Sequence, residues 1–546
     1  MALPACATIG VLALLLGGAA DVALGDVCPN APEPVALGSA QWNGWGHGTD
    51  NTRYQPEPAI RASDVPKLAL KWAFGYSSGT EFGQPTVVDG RLFVTSSTGR
   101  IYSLDAKTGC TYWTYDAAAG SRAAVIIGEL ARARVAALPR RLKRTLAHLD
   151  VIKAPSAAFF GDDSGTVYAL DAQKGTLLWK TQVETHPMAR IVGAPTLNND
   201  RLYVAVSSTE DAAAADPGYG CCTFRGSVAA LDIAGGRLVW KSYTVLEAPV
   251  PTRKNGAGVQ EFGPAGAGIS SSPTLDTPRN VLYVATGGSP TGIEQSLTDA
   301  VVAFNLDDGK LRWVKQLSRT DAGPFGSGFS SSPVLRTLAT GNQVLLAGQN
   351  SGVVYGLDPD HGGDTLWQTK IGDGGAGAAG LAGGGAFGVT SAVGPPGVEG
   401  SAGGVAWGSA ADHRNLYVAT TGGLVQPPNA SGSFTALDLK TGAARWHTPS
   451  PQPACAGNRN CSHGQSQAVT VMPGSAFSGS MDGHLRAYST IDGKILWDYD
   501  TAKDFQTRNG VKASGGPLDH GGATIVNGVV YVNSGNTLLA FSVDGK

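Results

Sequence analysis

A glycine-rich, charge-poor composition, seven copies of one glycine-to-tryptophan step, and an eighth copy split between the two ends of the chain predict an all-β, eight-bladed β-propeller. The chain has 546 residues, with 76 glycines, 31 prolines and only 15% charged residues, against about a quarter charged in an average globular protein. Turns are therefore dense and long surface helices few. A repeat architecture also lets one domain use the whole length.

The repeat unit is clearest in Gly165-Thr-Val-Tyr-Ala-Leu-Asp171-Ala-Gln-Lys-Gly175-Thr-Leu-Leu-Trp179. Alternating residues lead into a polar turn and a second strand that ends on tryptophan, which is hairpin chemistry. The same step of four separates Gly109 from Trp113, Gly236 from Trp240, Gly309 from Trp313, Gly363 from Trp367, Gly442 from Trp446 and Gly493 from Trp497. A polar residue stands eight before the tryptophan at Asp105, Asp171, Asp232, Asn305, Asp438 and Ser489, and nine before it at Asp358. Each unit follows a pair of strand signals, so each repeat supplies about four short strands, the content of a propeller blade. The last copy, Ala523 to Phe541, lacks a tryptophan strand, whereas Leu70-Lys-Trp72-Ala-Phe74 is a tryptophan strand without a blade. Joining the two closes the ring and removes an exposed sheet edge.

Two segments interrupt the pattern. Residues 129–149 carry Arg132, Arg134, Arg140, Arg141, Lys143 and Arg144 around Pro139 and read as a solvated helical insertion rather than a nucleic-acid or membrane surface. A net charge of −2 gives no field to attract nucleic acid. Residues 372–404 are Gly/Ala-rich and read as a loop.

The first 25 residues hold an apolar run, Ile9 to Leu16, followed by small residues, the outline of a signal peptide, although no Lys or Arg precedes the run. The expected organisation is a signal over 1–25, a tail over 26–40, a propeller over 41–546, and no membrane span, because no stretch approaches about 20 apolar residues. Removing Cys6 with the signal leaves Cys28, Cys110, Cys221, Cys222, Cys455 and Cys461. This even set suits a secreted or periplasmic location. Cys455 and Cys461 bracket a short loop and are expected partners; Asn429 and Asn460 open glycosylation sequons. Adjacent cysteines such as Cys221 and Cys222 have Cα atoms about 3.8 Å apart across a trans peptide, below the usual disulfide span, which leaves a vicinal bridge or pairing elsewhere open.

The Asp-x-x-x-Gly-x-x-x-Trp unit resembles the tryptophan-docking motif of the pyrroloquinoline quinone (PQQ) propellers. Trp45-Gly-His-Gly-Thr-Asp-Asn-Thr-Arg-Tyr54 resembles the opening of quinoprotein alcohol dehydrogenases. Tyr219-Gly-Cys-Cys-Thr-Phe-Arg-Gly226 and Gln465-Ser-Gln-Ala-Val-Thr470, with Phe477-Ser-Gly-Ser-Met-Asp-Gly-His-Leu-Arg-Ala-Tyr488, are similar to polyvinyl-alcohol dehydrogenases and their relatives. The resemblance runs from about residue 41 to 543.

What the resemblance implies is a PQQ enzyme with Ca²⁺ that oxidises an alcohol, secondary or polymeric, such as polyvinyl alcohol. Arg122 falls where the family places an arginine on a PQQ carboxylate, a pairing suited to a bidentate donor. Glu210 falls at the Ca²⁺ carboxylate and Trp407 on a segment facing the funnel; Cys221 and Cys222 are adjacent like the vicinal disulfide that family members carry beside the quinone, although there the pair precedes the segment matching Arg122 and here it follows. The eight repeat tryptophans, by contrast, are read as packing between blades. Departures are as marked: Gly288 replaces a second metal ligand, Ile269 a stacking tryptophan, Asn350 a basic residue, and Gly328 the catalytic aspartate. Alcohol oxidation needs a general base; Asp321 is the nearest replacement. The sequence has no Cys-x-x-Cys-His haem motif, so an external acceptor such as a cytochrome is implied. The alternative is a non-catalytic propeller whose loops bind protein or glycan.

Overall fold

The computed structural model describes residues 26–30, 33–38, 41–81, 83–130, 156–293, 295–318, 328–371, 404–421, 432–451, 462 and 464–546. Asp321, Cys455, Cys461, Asn429, Asn460, the basic stretch 131–149 and residues 372–403 lie outside them; before that stretch, Ile126–Glu129 is a strand.

Eight antiparallel sheets form the described chain, seven of four strands and one of five, with two additional two-stranded ribbons. In chain order, the blades are centred on the hairpins Arg100–Asp105 with Thr111–Asp116, Thr166–Asp171 with Leu177–Gln182, Ser227–Asp232 with Leu238–Tyr243, Ala300–Asn305 with Leu311–Gln316, Val353–Asp358 with Asp364–Lys370, Ser433–Asp438 with Ala444–Pro449, and His484–Ser489 with Ile495–Asp500. The eighth is the split copy: Leu68–Gly75 pairs antiparallel with Thr537–Val543, placing Trp72 opposite Ala540. The ring therefore closes as the sequence expects.

The repeat residues have separable duties. The polar residue caps its own turn: Asp105 Oδ1 accepts from the backbone N–H groups of Lys107 and Thr108, and Asp438 Oδ1 from Lys440 and Thr441. The glycine adopts positive φ, for example +70° at Gly236, a conformation with little steric cost only for glycine. At Asp358 the turn is one residue longer, with the Gly363 N–H reaching the Asp358 carbonyl.

Tryptophan then locks neighbouring blades together. A Cβ on Gly236 would stand 2.5 Å from the Trp179 ring, and the same holds around the ring from Gly109 on Trp72 (2.9 Å) to Gly493 on Trp446 (2.6 Å). Trp179 Nε1 donates to the Ile233 carbonyl at 2.9 Å, Trp367 Nε1 to Leu439 at 3.0 Å, and Trp497 Nε1 to Leu68 at the seam at 2.9 Å. Each docking tryptophan faces Gly, Ala or Ser across its own hairpin, as Trp113 faces Ser103 and Trp367 faces Gly356. Only a small residue leaves room for the indole to lie back over the strand.

Residues 42–55 close the ring axis. Trp42 exchanges backbone hydrogen bonds with Val87 of the first blade, and Asn43 bonds both the N–H and carbonyl of Ile127 in the second. The carbonyls of Thr49, Asp50, Thr52 and Arg53 accept in turn from Leu275, Leu335, Ala411 and Val471, on the innermost strands of blades four to seven. Gln55 Nε2 reaches Ile525 of the eighth. The motif with family resemblance is thus a plug that ties together seven blades. Its pin is Arg53, fully buried, which donates to the carbonyls of Val469 and Trp45, to Gln84 and to Thr470, with its guanidinium 4.6 Å from the centre of the Trp45 ring.

Ahead of the plug, Val27 pairs with Thr111, and Cys28 is bridged to Cys110 with Cα atoms 5.1 Å apart. The tail is thereby stapled to the outer strand of the first blade.

Candidate functional site

Glu210 starts a four-residue helix, Glu210–Ala213, directly after the strand Arg201–Ser208. Its carboxylate is buried and accepts hydrogen bonds from the Tyr219 hydroxyl (2.9 Å) and from the Thr223 and Phe224 backbone N–H groups (both 2.7 Å). His186 Nε2 lies 3.6 Å from Oε1. Burial pushes the Glu210 pKa up, but His186 and these donors outweigh it, and the net direction is down. The donors bracket Cys221 and Cys222, which are bonded to one another across a cis peptide, Cα atoms 3.1 Å apart. Glu210 therefore anchors the vicinal disulfide loop. Two donors occupy Oε1 and one occupies Oε2, which leaves Oε2 one lone-pair direction for a cation.

Beside Glu210, Asp211 is pushed up to about 7 by burial and by the charges of Glu210 and Asp299. Among the described residues no group of three or more His, Cys, Asp or Glu side chains has metal-binding geometry. Glu210 can thus supply one oxygen to a Ca²⁺ ion, which takes six to eight.

Arg122 is 8% exposed, and its Nη2 lies 3.5 Å from Asp163 Oδ2. Arg190, on the short strand Ala189–Arg190, pairs through its backbone with Ser207, three residues before Glu210. Its Nη1 is shielded from solvent and has no hydrogen-bond partner among the described residues. Burial lowers the Arg190 pKa; Asp163 opposes this and Arg122 adds to it. The segment from His186 to Val192 thereby joins the Glu210 loop to the arginines.

Trp407 stacks on His520 with centroids 3.5 Å apart and 23° between planes, and its Nε1 donates to Asp519 Oδ1 at 2.7 Å. Ser466 donates to the same oxygen, and His520 Nδ1 lies 3.1 Å from Asp519 Oδ2. Burial lowers the His520 pKa despite Asp519, with Arg122 lowering it further. Asp519 is held low, the charge of His520 and its hydrogen-bond donors outweighing burial. Trp407 also packs with Val192, Ala468 and Trp45, which seats this layer on the plug.

Two substituted positions have a structural explanation. A Cβ on Gly328 would stand 2.9 Å from Gly287 Cα and Gly288 N, so no side chain fits at 328 without displacing that backbone. Ile269 is fully buried in the core between the third and fourth blades. Asn350, also buried, accepts from Ser330 and donates its N–H to the Gly328 carbonyl. Sequence reasoning did not find Asp163, His186, Arg190, Asp519 or His520. The available signals were an arginine isolated between apolar residues, Ala189-Arg-Ile-Val192, and an acid–imidazole pair framed by glycines, Gly515-Gly-Pro-Leu-Asp-His-Gly-Gly522.

Residues 42–370 match the family described as glucose/ethanol/alcohol dehydrogenase, β-propeller domain, and residues 350–546 match that of the outer membrane protein assembly factor BamB. The chain is 40% identical to a polyvinylalcohol dehydrogenase of a Pseudomonas species, over 96% of this chain and 80% of the relative. It is 38% identical to the polyvinylalcohol dehydrogenase of a Sphingopyxis species, over 95% and 79%. The fold is similar to that of the quinohemoprotein alcohol dehydrogenase of Comamonas testosteroni, with a TM-score of 0.63 at 18% identity over 93% of this chain and 81% of the other. With its docking repeats, closed ring and these relatives together, the chain belongs to the PQQ dehydrogenase β-propeller family, alongside the polyvinyl-alcohol dehydrogenases.

Proposed function

We propose that the protein is an exported, PQQ-dependent dehydrogenase that oxidises secondary alcohol groups, those of polyvinyl alcohol among them, and passes the electrons to an external acceptor such as a cytochrome. The observation that supports this reading is the Cys221–Cys222 loop pinned by Glu210, on a strand whose partner segment carries Arg190, which feels the charge of Arg122. The bridge between Cys28 and Cys110 supports an oxidising compartment.

In this reading the quinone, when bound, accepts the electrons of the alcohol. Arg122 would hold a carboxylate of the cofactor, the disulfide and Trp407 would line its site, and Glu210 would contribute one oxygen to Ca²⁺. Because Ca²⁺ takes six to eight oxygens, the cofactor and the backbone would have to supply the others. Gly328 has no group to take the hydroxyl proton, and Asp321 is the proposed replacement base.

The test is titration of the apo protein with PQQ, with and without Ca²⁺, followed by dye reduction with 2-propanol and with polyvinyl alcohol. The expected results are Ca²⁺-dependent binding and alcohol-dependent dye reduction. Binding without turnover would identify a cofactor-holding scaffold, and no binding by folded protein would overturn the quinoprotein reading altogether.

A further inference from the structure

Two arginines and one acid meet where Arg122, Arg190 and Asp163 come together. Asp163 lies 3.5 Å from Arg122 Nη2 and makes no ion pair with Arg190 within the same reach. Arg190 Nη1 is shielded from water, with no partner among the described residues. Its backbone is held on a paired strand, Arg190 opposite Ser207, so the side chain springs from a fixed base rather than a free loop. A buried guanidinium N–H without an acceptor costs free energy that an arriving anion recovers. Asp163 pairs with Arg122, and the Arg190 guanidinium has no ion-pair partner among the described residues. Burial and Arg122 both press on the Arg190 charge, and an anion relieves both.

We infer that Arg190 is a second carboxylate-binding arginine, acting beside Arg122 on the polycarboxylate edge of the quinone cofactor. This rests on the PQQ-dependent reading above. PQQ is a tricarboxylic acid, so a single arginine partly compensated by Asp163 leaves cofactor charge unmatched. Arg190 springs from the strand paired with the one that leads into Glu210, so one short segment would couple a cofactor carboxylate to the Cys221–Cys222 loop. The planar fork of a guanidinium suits this task better than an ammonium.

The experiment compares wild type, Arg190→Gln and Arg190→Lys as full-length apo proteins, by equilibrium titration with PQQ in excess Ca²⁺ and by thermal melting without cofactor. Arg190→Gln is expected to weaken PQQ binding about ten- to hundred-fold, with Arg190→Lys between it and wild type. The apo melting temperature of Arg190→Gln should be no lower than that of wild type, because a charge with an unmatched N–H has been removed. A merely structural arginine would behave oppositely, losing stability on substitution. Unchanged affinity in Arg190→Gln overturns the inference, as does an affinity loss that accompanies a destabilised apo protein. If wild type itself binds no PQQ, the proposed function fails and this inference with it; if wild type binds and Arg190→Gln binds equally well, only the inference fails.

Discussion

Replacing Arg53 with methionine should destabilise the protein by about 3–4 kcal/mol, measured by urea denaturation at pH 7. Arg53 is fully buried at the centre of the plug, and its guanidinium serves the Trp45 and Val469 carbonyls, the Gln84 side-chain oxygen and Thr470 Oγ1. Methionine fills similar volume but leaves those acceptors unmatched, at about 1–3 kcal/mol for each that finds no water. The opposing effect is the removal of a buried charge, whose burial pulls the arginine pKa down to about 9. With several acceptors stranded, the loss outweighs the relief, in line with about 3–5 kcal/mol for breaking other buried charged networks. The defect should appear first in the plug, since Arg53 shares that segment with contacts to seven blades. Limited proteolysis should therefore cut within residues 42–55 of the variant before any blade is cut. An unfolding free energy within about 1 kcal/mol of wild type, or first cleavage elsewhere, would refute the role of Arg53 as the pin.

Gly236→Ala combines φ of +70° with a Cβ 2.5 Å from the Trp179 ring and should cost about 2–3 kcal/mol. Its neighbour Gly235 has open space, so Gly235→Ala should stay within about 0.5 kcal/mol in the same urea series. Gly328→Asp, which restores a carboxyl at the family position, should lower the melting temperature and give no gain in dye reduction, because its Cβ meets the Gly287–Gly288 backbone; a stable variant with raised activity would contradict this packing argument. Burial holds the Glu81 carboxyl well above its ordinary value of 4.5, against the Ser97 N–H that favours the charged form. Since its folded pKa is raised, its stabilising contribution is full below about pH 4.5 and is lost as pH rises through the folded value. The stability of wild type relative to Glu81→Gln should thus decline from pH 4.5 to pH 8, and a pH-independent difference would exclude that protonation.

Much of the fold was legible because its rules are local. Asp171, Gly175 and Trp179 lie within one hairpin, where the acid caps the turn, the glycine takes positive φ and the indole leaves the sheet in a fixed direction. Repeating that hairpin sets the blade and its docking surface, and the unpaired strand around Trp72 shows where the ring must close. Resemblance singled out Arg122, Glu210, Cys221, Cys222 and Trp407, but it did not show what each one touches.

Only the tertiary structure decided the rest, since those contacts join residues distant in sequence. The plug contacts depend on which blade each carbonyl of residues 49–53 happens to face. Resemblance gave Glu210 a metal-ligand role, and the structure adds that it anchors the loop through Thr223 and Phe224. The empty position at Gly328 is a packing event between neighbouring blades, because a Cβ there would meet the Gly287–Gly288 backbone. Arg190 meets Arg122, and Trp407 meets His520, only after the ring has closed. By itself the sequence determined the repeating hairpin and its closure, because backbone sterics and turn hydrogen bonds act over a few residues. The tertiary structure decided the chemistry of the interior, because burial and charge depend on neighbours that the chain brings together only when folded.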